Sequence, residues 1–187
     1  MPEPFSNTFA ERLVLDRTVG GVRLLVCRLD GGPREERRNR EREAVGCLLA
    51  YALDASAVMA HRSDGPPYVE GRPELCVSVS HSPAYAALAL APFAIGIDIE
   101  EPRAQLKRVA TRVFSEAEIE AFDGEADLLR AWTVKEALYK LCPSPEACDF
   151  RGAMTAEPPQ VCGRRARIVA ECDLESPAAH LTLLALE

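Results

Sequence analysis

The feature that most constrains the fold is an alternating hexapeptide, Ile-Gly-Ile-Asp-Ile-Glu, at residues 95–100. Side chains of a β-strand alternate between the two faces of a sheet, so this pattern predicts a strand whose isoleucines face a core. The other face then carries Gly96, Asp98 and Glu100. At a rise of about 3.3 Å per residue the two carboxylates lie about 7 Å apart along the strand, and their oxygens can converge on one cation. Hard ions such as Mg²⁺ are held by a few carboxylates together with substrate phosphate oxygens.

A helix farther along the chain supplies a third acid. Residues 127–141 are rich in helix-forming residues and contain neither glycine nor proline. Trp132, Glu136 and Lys140 recur at a spacing of four and therefore share one helical face. A solvated i,i+4 Glu–Lys pair is the simpler interpretation of Glu136 and Lys140. Their order after the acidic strand instead favours a shared site for a divalent metal and a phosphorylated ligand.

A polar turn upstream of the acidic strand adds candidates for phosphate binding. Residues 77–80 alternate like a strand and run into His81, Ser82 and Pro83. A hydroxyl and an imidazole then lie at the strand end, where they and the backbone N–H groups can bind phosphate oxygens. A hydrogen-bonded loop histidine is the alternative for His81, because imidazole is both a donor and an acceptor.

In order and spacing, the segments between Gly65 and Lys140 resemble the 4′-phosphopantetheinyl transferases. The matching segments are Gly65-Pro66-Pro67-Tyr68, Val79-Ser80-His81-Ser82, Gly96-Ile97-Asp98-Ile99-Glu100, Phe114-Ser115 with Glu118, and Trp132-Thr133-Val134-Lys135-Glu136-Ala137-Leu138-Tyr139-Lys140. The resemblance implies an α+β fold, a pseudo-dimer of two small lobes that are each an antiparallel sheet packed on a helix. We expect an N-terminal lobe over residues 1–92 on the coenzyme A side, and a metal-binding C-terminal lobe over residues 93–187.

The resemblance also implies an activity and a set of site residues. Enzymes of this family move the phosphopantetheine arm of coenzyme A, their co-substrate, onto a serine of an apo carrier protein and release adenosine 3′,5′-bisphosphate. The implied ligands of Mg²⁺, or alternatively Mn²⁺, are Asp98, Glu100 and Glu136. The implied catalytic residues are Glu136, Lys140 and Asp98, with Glu136 as a candidate base. The residues expected to contact coenzyme A are Ser80, His81, Gly65, Pro67, Arg42 and Lys135.

Composition bears on partners and location. The net charge is −7, so recognition of an acidic carrier protein needs a local basic patch. The candidate patch is Arg103, Lys107, Arg108 and Arg112. The chain has no apolar run long enough to span a membrane, and its N-terminus lacks the pattern of a signal peptide, so a cytoplasmic location is expected. A two-lobed chain is expected to act as a monomer.

Two other functions remain as alternatives. A catalytically silent relative that binds coenzyme A or a carrier protein is disfavoured because Asp98, Glu100, Glu136 and Lys140 are all retained. A nucleic-acid-binding protein would use the arginines of residues 34–42. The interleaved glutamates and the acidic balance of the chain argue against that role, because a basic face is its usual footprint.

The local patterns also predict the order of elements. A helix is expected over residues 34–53, a second from a capping box formed by Ser115 and Glu118, and a third after Gly124 that Pro143 stops. Strands are expected over residues 12–15, 21–27, 75–80, 85–91, 94–100, 165–172 and 180–186.

Overall fold

The computed structural model describes residues 7–61, 65–142, 150–152, 155 and 158–187. Tertiary contacts divide the chain into two units, one ending at Phe93 and the other beginning at Ala94. Each unit contains an antiparallel sheet and helices. The predicted α+β class is therefore confirmed.

The first unit is built on a six-stranded antiparallel sheet. Its elements are α1 (Asn7–Arg12), β1 (Leu13–Val19), β2 (Val22–Arg28), α2 (Arg37–Ala52), β3 (Met59–His61), β4 (Pro67–Val69), β5 (Cys76–His81) and β6 (Tyr85–Ala91). The strands lie in the order β1-β2-β6-β5-β4-β3. A 3₁₀ turn at Arg34–Glu36 precedes α2, so the predicted helix begins with a tighter turn.

Helix α2 covers one face of this sheet. Ala44, Val45, Leu48 and Leu49 recur one turn apart and are buried against strand residues of β2, β5 and β6. Each fully buried leucine contributes about 1.5–3 kcal/mol relative to an exposed one. In the charged first half of α2, Arg38, Arg42 and Glu43 are exposed, whereas Glu41 is buried.

The second unit is built on a smaller sheet. Its elements are β7 (Ile95–Glu100), α3 (Ala104–Val113), α4 (Glu116–Glu120), α5 (Glu125–Lys140), β8 (Gln160–Val161), β9 (Arg164–Glu175) and β10 (Ala178–Leu186). The strands lie in the order β7-β10-β9-β8. Consecutive strands β9 and β10 form a hairpin whose turn contains a cis Ser176–Pro177 peptide bond. Helix α5 packs on β7 and β10.

Gly96 lets α5 approach β7 closely. A Cβ atom placed on Gly96 would lie 2.0 Å from the backbone oxygen of Ala137, inside any permitted contact. The acidic face of β7 is therefore covered by α5, while the isoleucine face is also buried. This double burial explains why Asp98 is only 7% exposed.

The elements that the patterns did not predict are the short ones and α3. Strands β3, β4 and β8 have two or three residues, too few for a period of two to be visible. The predicted stop at Pro143 lies outside the described residues, and α5 ends at Lys140. Among the described residues, none of the helices is long and apolar enough to cross a bilayer.

Candidate active site

Lys140, the last residue of α5, binds the acidic strand. Its Nζ donates to the backbone oxygen of Ile97 at 2.7 Å and to Oδ1 of Asp98 at 2.9 Å. The Lys140 side chain remains 28% exposed, so the ammonium group reaches both the strand and solvent. A compact cation is thus fixed beside a nearly buried carboxylate.

Glu136 lies one turn before Lys140 on the same side of α5. The pKa of Glu136 is raised from 4.5 to about 7, chiefly by burial and further by the negative charges of Asp98 and Glu100, against the opposing charges of Lys140 and Arg103. The three acids are thus near enough to repel one another. The structure brings together the acids from β7 and α5 that the sequence predicted as one cluster.

Glu100 carries a second cation. Its Oε2 lies 2.5 Å from a guanidinium nitrogen of Arg103, and its Oε1 accepts from the backbone N–H of Glu101. Burial raises the pKa of Glu100, and the nearby Arg103 opposes that rise. The Arg103 guanidinium lies 5.9 Å from the ring centroid of Trp132, a cation–π distance. Sequence reasoning assigned Arg103 to a docking patch and missed this contact.

The donor set fits a hard divalent cation. Asp98, Glu100 and Glu136 offer only carboxylate oxygens, and a divalent cation between them would relieve the repulsion among their negative charges. Within the described residues, no three histidine, cysteine, aspartate or glutamate side chains are gathered so as to enclose a metal by themselves. Mg²⁺ is commonly held by one or two carboxylates, and water and substrate phosphates complete its coordination shell. An incomplete set of protein ligands is therefore compatible with Mg²⁺.

Lys135 lies apart from this cluster. Its side chain is 0% exposed, and its Nζ donates to both carboxylate oxygens of Glu118, at 3.0 and 3.2 Å. The same ammonium lies 4.8 Å from the ring centroid of Phe114. Adjacent residues of a helix point about 100° apart, so Lys135 faces α4 while Glu136 faces the sheet. The structure therefore does not bring Lys135 together with Lys140.

Glu118 is held by several donors at once. It accepts from the backbone and hydroxyl of Ser115, which completes the predicted capping box, and from the backbone and hydroxyl of Thr155. Burial by itself raises the pKa of Glu118, but the hydrogen bonds and Lys135 outweigh it, and the pKa is lowered. This carboxylate is saturated, unlike that of Glu136.

In the first unit, His81 pairs with an acid that the sequence did not single out. Nδ1 of His81 lies 3.3 Å from Oε1 of Glu41, and the same oxygen accepts from Nε of Arg37 at 2.6 Å. Glu41 is buried, whereas about half of the His81 side chain is exposed. The neighbouring Arg42 is exposed. The α2 side chain that meets His81 is thus Glu41.

The remaining predicted residues of this unit lie on β5 and β4. Ser80 and His81 are consecutive in β5 and so point to opposite faces of the sheet, with Ser80 buried. Pro67 begins β4, and β4 runs antiparallel to β5 with Tyr68 opposite Cys76. The chain from Tyr68 back to the half-buried Gly65 therefore runs toward the end of β5 that carries Ser80 and His81.

Comparison with protein families finds a match over part of this chain. Residues 94–180 match the model of the 4′-phosphopantetheinyl transferase superfamily. The match spans the second unit from its first residue and includes the acids of β7 together with Glu136 and Lys140. A comparison with curated proteins finds no match.

Proposed function

We propose that this chain, whose second unit belongs to the 4′-phosphopantetheinyl transferase superfamily, transfers the 4′-phosphopantetheine arm of coenzyme A to a serine of an apo carrier protein. In this reaction the serine oxygen forms a bond to the phosphorus that bears pantetheine. The bond from that phosphorus to the bridging oxygen breaks, and adenosine 3′,5′-bisphosphate leaves. The serine proton passes to a base.

The observation that carries this proposal is the cluster formed where α5 meets β7. Within the matched segment, a nearly buried Asp98 is paired with Lys140, and Glu136 is strained electrostatically by the two acids of β7. A cluster of this composition is suited to phosphoryl transfer, which depends on positioning and on neutralising charge on phosphate oxygens.

Asp98, Glu100 and Glu136 are the residues that would hold Mg²⁺, or Mn²⁺ in its place. When bound there, the metal would supply charge neutralisation for the pyrophosphate of coenzyme A. Lys140 already lies beside Asp98 with part of its side chain in solvent, so we assign it to the negative charge that develops on the phosphoryl oxygens. Its ammonium group is a compact charge, which suits a contact with a single phosphate oxygen.

Glu136 is the proposed base. It lies beside Asp98 and Glu100 in the cluster, where a carboxylate can accept the serine proton directly or through one water. Glu136→Gln keeps the shape and removes the basicity. Normal turnover in this variant, with metal binding intact, would remove the assignment.

Five residues of the first unit are proposed to contact coenzyme A, following the resemblance. His81 and Ser80 are assigned to its phosphates, Arg42 to its 3′-phosphate, and Gly65 with Pro67 to its nucleotide. Glu41, which holds the His81 ring, is added as the residue that orients it.

Lys135 is not retained as a phosphate contact. Its ammonium is buried and occupied by Glu118, so we assign it to holding α4 against α5.

The carrier protein is proposed to dock on α3. Of the four predicted basic residues, Arg103 pairs with Glu100, and Lys107 pairs with Glu125. Arg108 and Arg112 are exposed and lie one turn apart on the same face of α3. They are the two cations best placed to meet an acidic surface.

The test of this function is the intact mass of an apo carrier protein after incubation with coenzyme A, Mg²⁺ and the protein. A gain of about 340 Da, the mass of the phosphopantetheine arm, is expected with the wild type and not with Asp98→Ala. No gain across fatty-acid, polyketide and peptide carriers, despite coenzyme A binding, would favour the catalytically silent relative.

A further inference from the structure

Two fully buried threonines lie beneath the acid cluster. The Oγ1 atoms of Thr133 on α5 and Thr182 on β10 are 2.8 Å apart, and neither side chain reaches solvent. Thr182 is directly opposite Asp98 in β7 on one side and Glu171 in β9 on the other. Directly opposed residues share a face of the sheet. The hydroxyl pair therefore links α5 to the strand residue beside Asp98.

The donor in each hydrogen bond of the threonine pair follows from the number of hydroxyl hydrogens available. Thr133 Oγ1 donates to the backbone oxygen of Arg130 at 2.9 Å. A hydroxyl has one hydrogen, so Thr182 must be the donor in the contact between the two threonines. The chain of bonds thus runs from β10, through the turn of α5 that precedes Glu136, to the α5 backbone.

Arg130 anchors the same turn to a third strand. Its Nη2 donates to Oε2 of Glu171 in β9 at 3.0 Å, and its Nε lies 2.8 Å from Oε1 of the same carboxylate. Along one side of α5, Arg130 meets β9, Thr133 meets β10 and Lys140 meets β7. Glu136 lies between the last two contacts, so its position over the strands is set from both sides.

The hydroxyl pair is a directional contact in a layer that apolar side chains could fill. Replacing both partners of a buried hydrogen bond by apolar groups of the same shape is often nearly neutral for stability. Apolar packing does not fix the height or rotation of a helix as two aligned hydrogen bonds do. The geometric role of the pair can therefore be separated from any role in stability.

We propose that Thr133 and Thr182 are positioning residues that set the placement of Glu136 relative to Asp98, and thereby the affinity of the cluster for a divalent metal. This inference rests on the proposed function, because it takes the acids to be metal ligands. Removing residues that orient the metal ligands without touching the metal typically lowers metal affinity by about 10–100-fold.

The experiment compares Thr182→Val, Thr182→Ser and the double variant Thr133→Val/Thr182→Val. Thr182→Val removes the hydrogen bond between the two threonines and leaves the one from the Thr133 hydroxyl to the backbone oxygen of Arg130. Thr182→Ser keeps a hydroxyl at position 182. Thr111→Val, on the exposed surface of α3, is the matched control. Mn²⁺ binding is measured by titration calorimetry with coenzyme A present, and thermal unfolding is measured without metal.

We expect the double variant to unfold near the wild-type temperature, and Thr182→Val, which leaves the Thr133 oxygen without its donor, to unfold at a lower temperature. The Mn²⁺ dissociation constants of both should rise about tenfold. Thr182→Ser and Thr111→Val should bind as the wild type does. Wild-type affinity in a folded Thr182→Val or double variant would overturn the inference alone. Absence of Mn²⁺ binding by the wild type would instead remove the proposed metal site, and the inference with it.

Discussion

Helix α5 places two lysines, five residues apart, in opposite chemical situations. Lys135 is completely buried against Glu118, a carboxylate that also accepts hydrogen bonds from Ser115 and Thr155. Lys140 is partly exposed beside Asp98, next to an acid whose pKa is raised to about 7. One side of the helix is saturated with partners, and the other holds an excess of negative charge.

This difference separates a structural side of α5 from a side suited to ligand binding. A saturated buried pair has nothing left with which to bind a ligand, and its loss exposes an uncompensated charge, so its role is structural. Repelling acids beside a partly exposed cation are held under electrostatic strain that a metal and phosphates can relieve. The predictions below test this division between the Lys135 side and the Lys140 side.

Glu118→Ala should have the largest effect on stability. It leaves the buried ammonium of Lys135 without its carboxylate, which costs about 3–5 kcal/mol. Asp98→Ala removes one of several repelling acids and leaves a lysine that can reach solvent, so it should cost less than about 1 kcal/mol. Urea unfolding measures both, and equal losses would contradict the division.

Lys140→Met should lower turnover strongly without unfolding the protein. Loss of a cation aimed at developing charge typically lowers kcat by about 100-fold, or about 2.7 kcal/mol. Lys107→Met is the matched control, because Lys107 is an exposed lysine paired on the surface, and its removal should leave kcat unchanged. Steady-state kinetics with a carrier protein measure both, and similar rates in the two variants would argue against a role for Lys140.

Gly96→Ala should disturb both sides of α5, because the new Cβ meets the Ala137 oxygen. We expect a loss of about 1–3 kcal/mol in stability as the helix is pushed from the strand, together with weaker Mn²⁺ binding. Gly31→Ala offers a control for the added methyl group, because nothing lies within 4 Å of its Cβ position and its φ is not in the left-handed region. Tight metal binding in a folded Gly96→Ala variant would show that close approach is not required.

The pH dependence of stability should differ in sign between the two sides. The pKa of Glu136 is raised from 4.5 to about 7, first by burial, so the protonated form is favoured in the folded state. Its contribution to the stability of the metal-free protein is complete below about pH 4.5 and is lost as the pH rises through 7. Glu136→Gln should flatten that part of the curve, and a curve that keeps its slope would contradict the cause.

On the Lys135 side the sign is reversed. Hydrogen bonds lower the pKa of Glu118 against the effect of burial, so its contribution is present above its unfolded pKa and is lost as the pH falls through the folded value. Unfolding of the metal-free protein with a chelator, from acidic to neutral pH, measures both slopes. A Glu118→Gln variant that unfolds in acid as the wild type does would contradict this assignment.

The smallest expected effect concerns the proposed docking surface on α3. Arg108→Glu/Arg112→Glu should raise KM for the carrier protein about fivefold, or about 1 kcal/mol, through charge repulsion. KM for coenzyme A should not change. Equal changes in both constants would remove the docking proposal.

The sequence could predict the contacts that lie within one element or depend on one period. Alternation in residues 95–100 located Asp98 and Glu100 on one face, and the spacing of four placed Glu136 and Lys140 together. The same spacing excludes Lys135 from that face, and the structure places its ammonium on Glu118.

Other contacts depend on tertiary packing that no local pattern contains. The capping box predicted the hydrogen bonds between Ser115 and Glu118. The ammonium that donates to both carboxylate oxygens of Glu118 belongs to Lys135, which lies 17 residues farther along the chain. Glu41 lies in a run of alternating charges, where nothing distinguishes the one acid that packing buries against His81. The hydrogen bond between Thr133 and Thr182 joins positions 49 residues apart.

The central claim is that the acids of β7 and α5 hold the divalent metal. Fe²⁺ can take the place of Mg²⁺ at oxygen sites, and with ascorbate and peroxide it cleaves the backbone beside the place where it binds. With coenzyme A present, we predict cuts in the wild type near Asp98 and near Glu136, and none at these places in Asp98→Ala. Cuts elsewhere, or cuts that persist in Asp98→Ala, would contradict the account.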